Sequence, residues 1–152
     1  MHTSILRVLA AAAFIAAVPM AGAASTAIDQ VVADAQKVRA EAQDVKQLLK
    51  PRSADPAAVQ ERLTVIEAHA QSLRAAIAGV RASETALTAK QLAALERADM
   101  AAETLVVMLA NKAAIVADST RFDKERRLLR AKADGIAQRA ALVEKQMEHV
   151  RG

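Results

Sequence analysis

Residues 28–49, IDQVVADAQKVRAEAQDVKQLL, decide how this chain is read. Apolar side chains stand at Ile28, Val31, Ala35, Val38, Ala42, Val45 and Leu49, in alternating steps of three and four without a gap. Such steps put all seven on one face of an α-helix and leave the opposite face to charged and amide side chains. Pro51 and the Asp55-Pro56 pair close the segment, because proline lacks an amide donor and pushes the preceding residue out of helical geometry. A helix ending near Leu49 and a turn over residues 51–56 follow.

The spacing recurs downstream. Val59, Leu63, Ile66, Ala70, Leu73, Ile77 and Val80 form a second apolar face, opened by Asp55 as N-cap with Pro56 at the first helical position. Continued past residue 82, the series gives Glu84, Leu87, Gln91, Ala94 and Ala98, a poor core. The shifted series Leu92, Leu95, Asp99, Ala102, Val106, Leu109, Ala113 and Val116 is richer, and Thr88 with Gln91 matches a capping box. The sequence therefore predicts a break at residues 82–88 in preference to one helix over 57–118. A fourth helix is expected to begin near Ser119, with Thr120 and Asp123 as its capping box. Its face is Phe122, Arg126, Leu129, Ala133, Ile136, Ala140, Val143, Met147 and Val150.

Four long helices joined by short connections favour an all-α, antiparallel up-down four-helix bundle with coiled-coil-like heptad packing. The alternative is two long helical hairpins that pair as a dimer. Composition agrees with either: hydrophobic residues make up 53% but aromatics only 1%, so the apolar content is small side chains with high helix propensity. There is no Cys, Trp or Tyr, and there are only four Gly. That excludes disulfide scaffolds, thiolate metal sites and glycine-rich phosphate loops.

The N-terminus reads as an export signal. Met1–Ala23 has a short start with His2 and Arg7, an apolar run from Val8 to Val18, a breaking Pro19 and the small triplet Ala21-Gly22-Ala23. The run is about half the roughly 20 residues that span a bilayer, so cleavage after Ala23 is expected, with Ala24 as the neighbouring choice. Residues 24–152 would then be a single helical domain, periplasmic or secreted, with no transmembrane segment left.

Candidate functional features are few. Leu105-Val106-Val107-Met108-Leu109-Ala110 is apolar round the whole helix, so Leu105, Val107, Met108 and Ile115 are candidates for a protein partner or for self-association. The same pattern also describes the most buried helix of a bundle. Arg121, Lys124, Arg127, Arg130 and Lys132 make the start of the last helix basic and suit weak contact with anionic envelope components. No aromatic residue lies among them, so the stacking platform of single-stranded nucleic-acid sites is missing and nucleic acid is not an expected partner. Asp99 and Arg126 sit where apolar side chains belong and are read as register-setting polar positions too far apart to pair. His69 and Met108 are the one nearly level pair for an axial haem site, but both fall beside the apolar faces. With neither a Glu-x-x-His pair nor C-x-x-C-H, no cofactor and no metal are expected. No nucleophile, base and oxyanion hole share a local signature, so an enzyme is not expected.

Leu87-Thr88-Ala89-Lys90-Gln91 resembles the L-T-x-x-Q motif of the Spy and CpxP periplasmic chaperones, small exported helical proteins that act as cradle-shaped dimers. The family carries the motif twice and this chain once. The resemblance implies a protein that binds exposed segments of other proteins. The sequence therefore points first to a non-enzymatic exported protein acting by protein–protein contact, as a chaperone-like, adaptor or envelope-associated factor. Second is a bundle carrying haem, metal or an amphipathic small molecule, and third an oligomeric coiled-coil spacer.

Overall fold

The computed structural model describes residues 21–83 and 86–152. They form four α-helices: α1 (Ala21–Leu48), α2 (Pro56–Ser83), α3 (Ala89–Val116) and α4 (Ser119–Arg151). The expected signal lies outside the described residues except for Ala21–Ala23, which belong to α1. At 1.5 Å per residue the first three helices are about 42 Å long and α4 about 50 Å. Each packs on its chain neighbour and α4 returns to α1, which closes a four-helix ring within one chain. The α2–α3 side is the loosest of the four. No described helix is long and apolar enough to cross a membrane.

Every position of the first two apolar series is buried, from Ile28 to Leu49 and from Val59 to Val80. So is every position of the fourth except Arg126. Alanine fills about a third of the core positions, and the largest fully buried side chains are Phe122, Ile66, Leu73, Ile77, Leu95, Leu105, Ile136 and Met147. Alanine lets the helix axes approach closely but removes little apolar surface per layer, so long contact must replace bulky contact.

The helix ends follow local chemistry. Asp55 Oδ1 accepts the Ala57 amide at 2.9 Å, with Pro56 at the first helical position. The break between α2 and α3 falls where expected: the Gln91 amide donates to Thr88 Oγ1 at 3.3 Å, and the Thr88 amide donates to Gln91 Oε1 at 3.0 Å. Gln91 Nε2 also donates to the Val150 carbonyl at 2.8 Å, which ties the start of α3 to the end of α4. The cap of α4 is Asp118, whose Oδ1 accepts the Arg121 amide at 3.1 Å, and not Thr120. A carboxylate two residues earlier reaches the free amides first and adds favourable charge at the helix N-terminus.

The expected face of α3 needs correction. Leu92 is exposed, and Asp99, Val106 and Ala113 are only partly buried. The buried line is Leu95, Ala98, Ala102, Leu105, Leu109, Lys112 and Val116, again in steps of three and four. Ala94, Ala101 and Ile115 flank it on the side away from Asp99. Half of the expected series is therefore core, while its alternate members point about 60–80° away.

Candidate functional site

The four residues proposed as one contact surface on α3 do not lie on one surface. Leu105 and Ile115 are core, Met108 is half-buried, and Val107 is 57% exposed. Helical geometry explains the split. Successive residues turn by about 100°, so a girdle apolar all round sends some members inward and others out. The outward members belong to a longer stripe that includes Leu92, 43% exposed, and Met100, 67% exposed. Glu96 and Glu103 share this face, as do Ala110 and Ala114, and all four are exposed. An outer helix face normally carries mixed charge. This one carries apolar side chains and the carboxylates of Glu96 and Glu103, with the exposed Arg97 at its margin.

The basic start of α4 divides between two flanks of the helix. Arg127 and Arg130 join Lys46 and Asp134 along a surface cleft of about 420 Å³ between α1 and α4. There Lys46 Nζ stands 2.7 Å from Asp134 Oδ1. Lys132 lies on the opposite flank, toward α3. Lys124 is exposed, and Arg121 pairs with Glu125 at 3.2 Å. A partly exposed i,i+4 pair of this kind contributes a few tenths of a kcal/mol, about 0.3–0.5.

The two charges on apolar positions find separate partners. Asp99 meets Arg81 of α2 at 3.5 Å, across the loosest side of the ring. Arg126 donates to the Pro51 carbonyl and so fastens α4 to the α1–α2 turn. Both are half-exposed and peripheral.

Two buried ionisable groups were not singled out from the sequence. Asp34 of α1, 2% exposed, accepts from Gln30 Nε2 at 2.9 Å and from Ser72 Oγ of α2 at 2.7 Å, with Lys37 at 3.5 Å. Burial alone would raise its pKa, but the hydrogen bonds of Gln30 and Ser72 and the charge of Lys37 outweigh it and hold the carboxyl below its ordinary value. Lys112 of α3, 5% exposed, occupies a core position with its stem against a void of about 10 Å³ lined by Val45, Leu49, Leu63 and Leu129 among others. That is room for about one water. Burial lowers the Lys112 pKa, and the neighbouring Lys132 ammonium lowers it further. A step of four and three along α3 shows that Lys112 continues the line of Leu105 and Leu109, which is the signal that would have found it.

His69 is half-buried on α2 and His149 is exposed near the end of α4. Met108 packs over Gly135 of α4, where a Cβ would lie 3.1 Å from its Cε, so it serves the α3–α4 side. Among the described residues no group of three or more His, Asp or Glu side chains is placed to hold a metal ion.

No protein-family model, no curated protein and no solved structure matches this chain. The short resemblance at residues 87–91 accordingly rests on the capping box and the Gln91–Val150 tie, both of which serve the fold.

Proposed function

We propose that this chain is a non-enzymatic exported helical protein that works by contact with other proteins, and that the contact face is the outer stripe of α3. The observation that carries this reading is the exposure of Leu92, Met100 and Val107 along one helix whose remaining large apolar side chains are buried or half-buried. A patch of flexible Met and branched aliphatic side chains adapts to many apolar segments, as a chaperone-like binder requires. The interleaved Glu96 and Glu103 favour segments that carry lysine or arginine beside their apolar residues. Export rests on the Met1–Ala23 pattern, which places such a binder among unfolded proteins crossing the envelope.

The test is the rate at which a chemically unfolded reporter protein aggregates in the presence of this protein. The wild type is expected to slow aggregation at near-stoichiometric amounts. The double variant Met100→Asp/Val107→Asp is expected to lose most of that effect with unchanged helical circular dichroism, because both side chains already face water. Wild-type protein without effect, or a double variant as active as wild type, would overturn the reading.

A further inference from the structure

A second face of α3 carries a site of different chemistry. On the side toward α4, a surface groove of about 410 Å³ runs over Gly135, walled by Met108 and Leu142 and edged by Gln138 and Arg139. That volume lies within the range of small-molecule sites, roughly 300–1,000 Å³. Its floor exists because residue 135 has no side chain: a Cβ there would stand only 3.1 Å from the Met108 methyl. Methionine is flexible and polarizable, so this wall yields to an inserted chain.

One turn beyond the groove, outside its own walls, stand two lysines. Lys112 follows Met108 by four residues on α3, and Lys132 precedes Gly135 by three on α4. Because the two helices are antiparallel, both lysines lie one turn, about 5 Å, beyond the same end of the groove. The Lys132 amine is within hydrogen-bonding reach of the Lys112 amine, and neither pairs with a carboxylate among the described residues. Lys112 is more than nine-tenths buried. Two adjacent cations, one of them largely out of water, are unfavourable until an anion lies between them.

We propose that the α3–α4 groove binds a single-chain carboxylic acid amphiphile, its carboxylate between Lys112 and Lys132 and its hydrocarbon chain over Gly135 against Met108 and Leu142. A carboxylate has two oxygens, one for each ammonium, and carries one charge, so Arg139 at the far end is left to the solvent. This site is separate from the outer stripe of α3 and stands or falls independently of it.

Isothermal titration of the purified protein with laurate, kept below its micelle concentration, tests the assignment. Dodecyltrimethylammonium provides the same chain with the opposite head, and acetate provides the head alone. Laurate is expected to bind saturably at one per chain, the cation not at all, and acetate at least a hundredfold more weakly than laurate. Lys112→Met and Lys132→Gln are each expected to weaken laurate at least tenfold, while Lys90→Gln, at the start of α3, leaves it unchanged. Should Lys112→Met fail to fold, the half-exposed Lys132 carries the comparison alone. Laurate that does not saturate, binding shared equally with the cation, or binding indifferent to the lysine changes would overturn the proposal.

Discussion

α2 and α3 are each 28 residues long, yet they bury different things. α2 hides Val59, Leu63, Ile66, Ala70, Leu73, Ile77 and Val80 in one unbroken line and leaves no large apolar side chain exposed. α3 hides ten residues, one of them a lysine, and still leaves Leu92, Met100 and Val107 in water. A helix with one apolar stripe has one packing duty. A helix with apolar side chains on its core face and on its outer face carries a second surface that packing within the bundle does not use.

The comparison breaks most visibly at two residues of α3 that lie close together in sequence. Leu105→Asp puts an unpaired carboxylate in the core and is expected to cost more than about 4 kcal/mol, enough to unfold the chain at room temperature. Val107→Asp, two residues on, is expected to change stability by less than about 0.5 kcal/mol. Urea melts followed by circular dichroism decide between them, and equal losses would mean that α3 has no outer face.

The next effect sharpens the account of α2. Asp34→Ala strips the Ser72 hydroxyl and the Gln30 amide of their acceptor, and about 1–3 kcal/mol should go with it. Because the folded pKa of Asp34 is lowered, its contribution is fully present above the ordinary carboxylate range and is lost as pH falls through the folded value. Stability curves of wild type and Asp34→Ala should therefore converge in acid.

Lys112 has no counterpart in α2, whose line is apolar throughout. Lys112→Leu is expected to stabilise the protein by about 1–2 kcal/mol near neutral pH, since an apolar side chain replaces a buried charge. Its lowered pKa means that the folded state sheds a proton before the unfolded chain does. Wild-type stability should accordingly rise between the folded pKa and the ordinary lysine value, closing the gap to the variant. Thermal melts across the alkaline range measure that slope. Smallest is Thr88→Ala, which removes half of the capping box at the start of α3 for a cost of about 1 kcal/mol.

These differences also explain what was legible in the sequence. In α1, α2 and α4 one series in steps of three and four runs the length of the helix with at most one polar member, and it is buried almost residue for residue. In α3 two phases share Leu95, Ala102, Leu109 and Val116. The phase with Leu92 and Val106 is interrupted by Asp99 and the one with Ala98 and Leu105 by Lys112, so hydrocarbon content does not choose between them. The fold uses the latter, because close axes accept Ala98 and the long apolar stem of Lys112 packs in the core. The split of Leu105 and Ile115 from Val107 follows from the same ambiguity. Contacts such as Asp34–Ser72, Arg81–Asp99 and Lys112–Lys132 join residues of different helices, and spacing along one helix carries no information about them.

The central claim is that the outer face of α3 meets other proteins. Amide chemical-shift mapping tests it most directly, with isotope-labelled protein titrated with an unfolded, apolar and basic polypeptide. Shifts concentrated at Leu92, Met100, Val107 and their exposed neighbours on α3 are the predicted result, with α2 unmoved. Shifts centred on α1 or α2, or none at saturating polypeptide, would contradict it.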